Sequence, residues 1–313
     1  MGKEKLRNVE HVEIRPDMGI DELLEQFAGS GVFGAGKLHR AAKILGDMVR
    51  EGATKFFGLA GAMIPGGMRK VVYTLIENGF IDVFVTTGAN VTHDLIEAFG
   101  YKHRRGQLDT DDRELRKHGL SRIYNSYVEE EAFTSFESKL QPILERCIPR
   151  NATLSGCELL WRIGREVEDE NSLLRLLYEK KIPIFVPAMT DSILGVQLWL
   201  HRQSKPFQID LLKDLEHITN IAYEAKNAGA IIVGGGTPKN FILQSMLVTP
   251  NMFTRAVQIT TAHPEDGSLS GATLEEAKSW GKISPDADIV TVIGDATIIL
   301  PILVSAILAE ANR

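Results

Sequence analysis

The segment Glu276-Ala277-Lys278-Ser279-Trp280-Gly281-Lys282 sets a lysine two residues after a tryptophan, at the end of an expected helix and just before an apolar strand. An ordinary surface lysine is protonated and is no nucleophile. Burial against an indole ring disfavours the ammonium and lowers the lysine pKa, which frees the amine for imine chemistry. Glu276 stands four residues before Trp280, on the same helical face, where it could hold a cationic substrate. The plainer reading is a solvated lysine at a helix C-terminus, where a cation is favourable in any case. On spacing alone the plainer reading is the stronger one.

Other segments carry chemistry of a second kind. Gly234-Gly235-Gly236 follows the apolar run Ile231-Ile232-Val233 and precedes a helix expected from about Pro238. Glycines at a strand C-terminus let a backbone approach a ligand, and the next helix N-terminus favours phosphate. Gly58-Leu59-Ala60-Gly61-Ala62, Thr86-Thr87-Gly88-Ala89-Asn90 and Gly294-Asp295-Ala296 end other expected strands in the same way. Each reads equally well as a tight turn, and none is the GxGxxG fingerprint. Together they fit one dinucleotide lying across a sheet edge. Asp191, in Pro187-Ala188-Met189-Thr190-Asp191-Ser192, follows a strand directly. Thr190, Asp191 or Ser192 could cap the helix that comes next. Gly31-Val32-Phe33-Gly34-Ala35-Gly36-Lys37-Leu38 almost matches a nucleotide-binding P-loop, but Leu38 stands where a magnesium-binding hydroxyl belongs and no strand precedes it. A flexible helix–helix turn is the better reading. His93 and Asp94 follow the Thr-rich turn, and His263 lies in a polar loop, without a second ligand to mark a metal site.

These residues need a frame. Residues 19–50 read as two helices around the Gly-rich turn. Strands are expected at 55–59, 83–87, 182–187, 230–233, 255–260 and 289–293. Helices are expected at 66–78, 90–99, 129–148, within 158–180, at 193–201, 211–228 and 239–247. The alternation predicts an α/β fold, a mostly parallel sheet covered by helices on both faces. Residues 101–126, with Asp109, Asp111, Asp112, Arg113 and Glu114, read as an inserted, solvated and irregular surface segment. No repeat or long linker appears, so one domain over 1–313 is expected, with 1–50 as an N-terminal helical extension.

The chain has 313 residues, 44% of them hydrophobic, and a net charge of −6. That balance argues against nucleic acid as a partner and suits polyamines and a basic protein segment. Cys147 and Cys157 lack ligand spacing and read as reduced thiols in a cytoplasmic protein. The stretch from Met1 to Asn8 is charged and no apolar signal region follows. Residues 289–309 are strongly apolar, but Gly294, Asp295 and Pro301 interrupt them. A buried strand followed by a buried helix explains them better than a membrane span.

Thr261-Ala262-His263-Pro264-Glu265-Asp266-Gly267-Ser268-Leu269-Ser270-Gly271-Ala272 lies upstream of Ser279-Trp280-Gly281-Lys282, and Gly294-Asp295-Ala296-Thr297 lies downstream. From about residue 54 to the C-terminus, this arrangement resembles the deoxyhypusine synthase family in its archaeal-type form. The resemblance implies a doubly wound, Rossmann-like sheet and a homotetramer with active sites at a dimer interface. It makes Lys282 catalytic, as the carrier of a covalent imine, and makes the dinucleotide NAD. Gly61, Ala62, Thr87, Gly88, Ala89, Asp191, Gly235, Gly236, Thr261, Ala262, Asp266, Ser270, Asp295 and Ala296 are the cofactor contacts it implies. His93, Asn240, Gly267, Ser268, Leu269, Glu276 and Trp280 would line the amine site; no metal is implied.

The implied activity is transfer of the aminobutyl group of spermidine, through Lys282, to one lysine of the translation factor 5A precursor. The chain departs from the eukaryotic pattern, which has acids at the positions of Val196 and Leu269, a glutamate at His93 and a histidine at Asn240. Gly61-Ala62-Met63-Ile64-Pro65 also replaces polar residues of the eukaryotic cofactor loop. Two further readings stay open: transfer to a small diamine, as in homospermidine-forming relatives, and an NAD-binding partner protein without transfer activity.

Overall fold

The computed structural model of the chain describes residues 6–311. The charged N-terminal stretch therefore lies mostly outside the described residues. Six parallel strands form the central sheet, in the order Ile283–Ile293, Phe253–Thr260, Ala228–Val233, Thr54–Leu59, Val83–Thr86, Ile184–Phe185. The chain enters at the middle of the sheet, builds outward to one edge, then returns and builds to the other. The order reverses between Thr54–Leu59 and Ala228–Val233, and ligands of such sheets bind outside the strand C-termini at that switch.

The strand sequences explain this burial. Phe57, Ile231, Val233, Val257 and Ile259 enter one hydrophobic core, while Phe56, Ala230, Ile232 and Ala256 enter the other. Successive residues point to opposite faces, so strands apolar at every position suit a sheet covered on both sides.

Helices Ile20–Ser30 and Phe33–Arg50 are built into the larger core through Leu24, Leu38, Ile44 and Met48. The turn between them is shorter than the glycines suggest, because Gly34 and Gly36 lie inside the second helix. A Cβ on Gly36 would fall 2.6 Å from the Gly31 carbonyl carbon, so the close approach of the two segments requires glycine there. Met48 packs under the sheet at Gly229, where a Cβ would meet its sulfur at 2.6 Å.

Residues 101–126 are not irregular. They contain Arg104–Arg105, the helix Asp112–Lys117 and Leu120–Ile123, and the two short strands flank Ser126–Glu129 in an antiparallel sheet. The charges that suggested a loop are paired: Arg113 with Asp111 and Arg122 with Asp112. The Tyr127 hydroxyl donates to Gln107 O at 2.7 Å and closes the unit. Short, half-exposed strands carry no apolar face, which is why their pattern resembles a loop.

Several boundaries move for local reasons. The first helix after Thr54–Leu59 starts only at Arg69, because Gly67 turns at φ 83°. The last strand begins at Ile283 rather than 289, with an irregularity between Phe253 and Arg255 opposite it. Pro285 and two aspartates disguise that extension. Helix Leu211–Glu224 stops short of 228 because Ala228 joins the sheet. Residues 289–309 divide as expected between a strand and helix Ala296–Ala311. Among the described residues no helix is long and apolar enough to cross a membrane.

Candidate active site

Helix Leu274–Ser279 positions the lysine segment. Thr273 caps it: its hydroxyl accepts from Glu276 N at 3.1 Å, and Glu276 Oε1 accepts from Thr273 N at 2.9 Å. This reciprocal cap fixes the short helix and also engages the carboxylate expected to hold an amine. The chain then turns through Gly281, at φ 68°, and places Lys282 before strand Ile283–Ile293.

Lys282 Nζ lies 5.5 Å from the Trp280 ring centroid and donates to Asn240 Oδ1 at 3.4 Å. Desolvation holds its pKa below the usual lysine value. Lys282 forms no ion pair among the described residues. Trp280 remains 67% exposed and Leu269 48% exposed. The indole therefore shields one side of the amine, not all of it.

A second lysine lies nearby. Lys239, on helix Gly236–Gln244, is 3% exposed. Its Nζ donates to Gln258 Oε1 at 3.0 Å and to Ala272 O. Burial pushes its pKa down to about 8; nearby Glu276 opposes the shift and Lys282 adds to it. Gln258 Nε2 donates in turn to Gly234 O at 3.0 Å and Ser270 O at 2.9 Å. One buried glutamine thus ties Lys239, the glycine turn and the 261–272 loop together. Neither Gln258 nor Lys239 stood out in the sequence. The available signal was a lone amide inside the apolar run Ala256-Val257-Gln258-Ile259.

The glycine turn sits at the switch point. Ala60 N donates to Val233 O at 2.9 Å, and Gly234 N to Ile259 O at 2.7 Å. A Cβ on Gly235 would come 2.4 Å from Ser270 Cα, and Ser270 Oγ accepts from Gly236 N at 3.0 Å. Gly271 is equally constrained, 2.0 Å from His263 O at its absent Cβ. The loop is therefore pressed onto the turn. Within it, Asp266 Oδ2 accepts from His263 N at 3.0 Å, Gly267 turns at φ 65°, and Thr261, Gly267 and Ser268 are exposed while Ala262 is half-buried.

The remaining expected contacts lie at the same sheet edge. Gly61, at φ 79°, and Ala62 are exposed just after Leu59. Gly66, from the same loop, approaches Thr297, and Asp295 Oδ1 accepts from Thr297 N at 2.8 Å beside Ala296. Thr87 caps helix Gly88–Ala98 through Asn90 N, with Ala89 exposed next to it. A Cβ on Gly88 would meet Ser192 Oγ at 2.3 Å. Ser192, not Thr190 or Asp191, caps helix Ile193–Ser204, which leaves Asp191 exposed at its start. Val196 is exposed on that helix.

His93 is joined to His103 rather than to Lys282: its Nδ1 lies 2.9 Å from His103 Nε2. Asp94 is structural, accepting from Arg69 Nε at 2.7 Å and from Leu173 N at 3.0 Å. Among the described residues no cluster of His, Cys, Asp or Glu is set to hold a metal ion.

The family model described as deoxyhypusine synthase matches residues 22–307. A probable deoxyhypusine synthase 1 of Methanosarcina mazei is 45% identical over 306 residues, covering 97% of this chain and 96% of the relative. One from Archaeoglobus fulgidus is 45% identical over 301 residues, with 96% and 98% covered. The crystal structure of a putative deoxyhypusine synthase from Entamoeba histolytica has the same fold, with a TM-score of 0.66 at 18% identity over 96% of this chain and 97% of that one. Both the matched length and the identity are far above what a shared fold alone requires, and the chain belongs to the deoxyhypusine synthase family of aminobutyl-transferring enzymes.

Proposed function

We propose that this enzyme transfers the aminobutyl group of spermidine to a lysine of the translation factor 5A precursor, with NAD as cofactor and Lys282 as the carrier. The observation behind this reading is the Lys282 amine, desolvated beside Trp280 and oriented by Asn240, with no carboxylate partner among the described residues. An unpaired, partly buried amine is a poor structural element and a good nucleophile.

The sheet edge fits a dinucleotide. Gly61 is exposed and Gly236 half-buried, while Gly235 lets Ser270 pack onto the turn, and helices begin at Gly88, Gly236 and Ala296, where phosphates are favoured. Asp191, Asp266 and Asp295 offer exposed carboxylates for ribose hydroxyls. When bound there, NAD would accept hydride from the amine and return it.

The chain's own residues do the rest. Lys282 Nζ adds to the C=N carbon of the oxidised amine, the bond to the departing diamine breaks, and Lys282 holds the aminobutyl group as an imine. The acceptor lysine adds to the same carbon and displaces Lys282. Asn240 fixes one N–H of Lys282, which directs the lone pair, and Trp280 supplies an apolar wall for the butyl chain. The family to which the chain belongs supports the protein acceptor over a small diamine.

The free, buried Cys147 and Cys157 support a reducing, cytoplasmic setting. We read residues 1–313 as one domain working in a homotetramer, on the family resemblance.

The test is borohydride trapping. Protein incubated with NAD and spermidine, then reduced, should gain one aminobutyl group on Lys282 by intact mass and peptide mapping. Lys282→Arg should gain none. An adduct that persists in that variant would sink the mechanism.

A further inference from the structure

Helix Gly88–Ala98 carries a second set of groups that the transfer chemistry above does not use. His93 Nδ1 lies 2.9 Å from His103 Nε2, and His103 Nδ1 lies 2.8 Å from Glu97 Oε1. The rings are 4.9 Å apart between centroids. A hydrogen bond between two imidazole nitrogens needs one donor and one acceptor, so the pair shares a single proton at that contact. With Glu97 ionised, His103 donates from Nδ1. Neutral His103 then accepts at Nε2 from the Nδ1–H of His93, which leaves the His93 Nε2 lone pair available.

The surroundings decide where an added proton rests. Burial, together with His103, pushes the His93 pKa down to about 4 despite Glu97. His103 adjoins the carboxylate, and its side chain is 6% exposed. The other charges facing Glu97 are Arg69, from helix Arg69–Glu77, at 3.8 Å, and Lys102 at 3.7 Å. Arg69 is itself held by Asp94 and Asp169. His93 stands on the helix that begins at Thr87 and Gly88, and the neighbouring Thr92 Oγ1 accepts from Leu194 N at 3.1 Å, next to the Asp191 turn.

We propose that His93, His103 and Glu97 form a proton relay that neutralises a secondary ammonium bound at this sheet edge. The ammonium N–H bond breaks as an Nε2–H bond forms on His93; the Nδ1–H bond of His93 breaks as an Nε2–H bond forms on His103. One proton thus moves from the substrate nitrogen to the His103–Glu97 ion pair. The inference rests on the aminobutyl-transfer reading, in which that nitrogen must be uncharged before the adjacent carbon can release hydride. His93 is the catalytic base; His103 and Glu97 are positioning residues.

Two measurements on the full chain test this. The first is NMR of the protein labelled with nitrogen-15 at histidine, with no amine present. His93 and His103 should take up one proton as a unit, and His103→Phe should raise the pKa of His93. The second is NADH absorbance formed with spermidine in the absence of acceptor, from about pH 6 to about pH 10. His103→Phe and Glu97→Gln should each slow it by about 10²-fold at neutral pH, with the loss shrinking as pH rises and NAD affinity unchanged. A loss equal at every pH, or histidines that titrate independently, overturns the relay. If wild-type protein itself forms no NADH with spermidine, the transfer reading has failed and the relay that rests on it falls too, whereas a pH-independent loss in the variants alone overturns only the relay.

Discussion

Lys239 Nζ donates to Gln258 Oε1 at 3.0 Å, and both side chains are almost wholly buried. Because Gln258 also donates to Gly234 O and Ser270 O, the bond couples a buried cation to the expected cofactor turn. Gln258→Leu leaves the ammonium short of an acceptor and two carbonyls short of a donor. It should cost about 3 kcal/mol in urea unfolding and weaken NAD binding in a titration. Unchanged stability would mean that water replaces the amide.

The buried Lys239 also sets a pH dependence. Its pKa is about 8 in the fold, against 10.5 for an ordinary lysine. Between those values the unfolded chain binds the proton that the folded chain has released, so stability rises with pH across that window. The full effect is on the order of 3 kcal/mol. Lys239→Met should flatten the difference in unfolding free energy between about pH 7.5 and about pH 10. A slope that survives this substitution would assign it to another group.

Gly235 offers a steric test of the turn. An added Cβ would collide with Ser270 Cα at 2.4 Å, and backbone cannot swing aside as a side-chain tip can. Gly235→Ala should lift the 261–272 loop and weaken NAD binding by about tenfold or more, a loss of at least about 1.4 kcal/mol. Calorimetric titration checks this. Intact NAD affinity in a folded variant would remove this turn from the cofactor site.

These residues also show where sequence reading succeeded and where it ran out. Phe56 and Phe57 face opposite cores, and a strand that is apolar on both faces announces a covered parallel sheet without further context. Lys282 was singled out by the resemblance of its segment to a family motif, since spacing alone favoured a solvated lysine; the structure adds that its amine is partly desolvated beside Trp280. Lys239 and His103 were not singled out. Each depends on a partner remote in sequence, Gln258 for one and His93 for the other, and each sits in a charged or ordinary helical context. The 101–126 segment was misread for a different reason: Asp111 pairs with Arg113 at the start of a short helix and Asp112 with Arg122 on the following strand, and such pairing leaves no periodic trace.

Asp214 provides a prediction away from the site. Its Oδ1 accepts from Cys157 N at 2.9 Å, while Oδ2 is buried without a well-aligned donor among the described residues. Burial raises its pKa to about 6, from the ordinary carboxyl value of 3.8, against the bond from Cys157 that lowers it. The fold therefore keeps a proton that the unfolded chain has lost. The stability this group contributes falls as pH rises from about 4 to about 6 and stays lost above. Asp214→Asn keeps the acceptor for Cys157 and removes the charge. It should stabilise the protein by about 1–2 kcal/mol at pH 8, with the gain vanishing near pH 4. Equal effects at both pH values would rule out buried charge as the cause.

The nucleophile itself can be tested without removing it. Trp280 shields Lys282 Nζ from one side, and desolvation is what depresses the Lys282 pKa. Trp280→Ala should admit water, raise that pKa toward the ordinary lysine value and shrink the fraction of free amine. Adduct formation measured at pH 8 should then fall by about tenfold for each unit of pKa regained. The part of the loss that comes from the amine should disappear as pH rises, because the amine is neutral in both proteins above its pKa, while any part that comes from the lost apolar wall should remain. Lys282→Arg, by contrast, should abolish the adduct at every pH, since arginine keeps the bond to Asn240 and cannot form an imine. A Trp280→Ala defect of the same size at every pH would show that the indole acts by binding the butyl chain and not by tuning the amine.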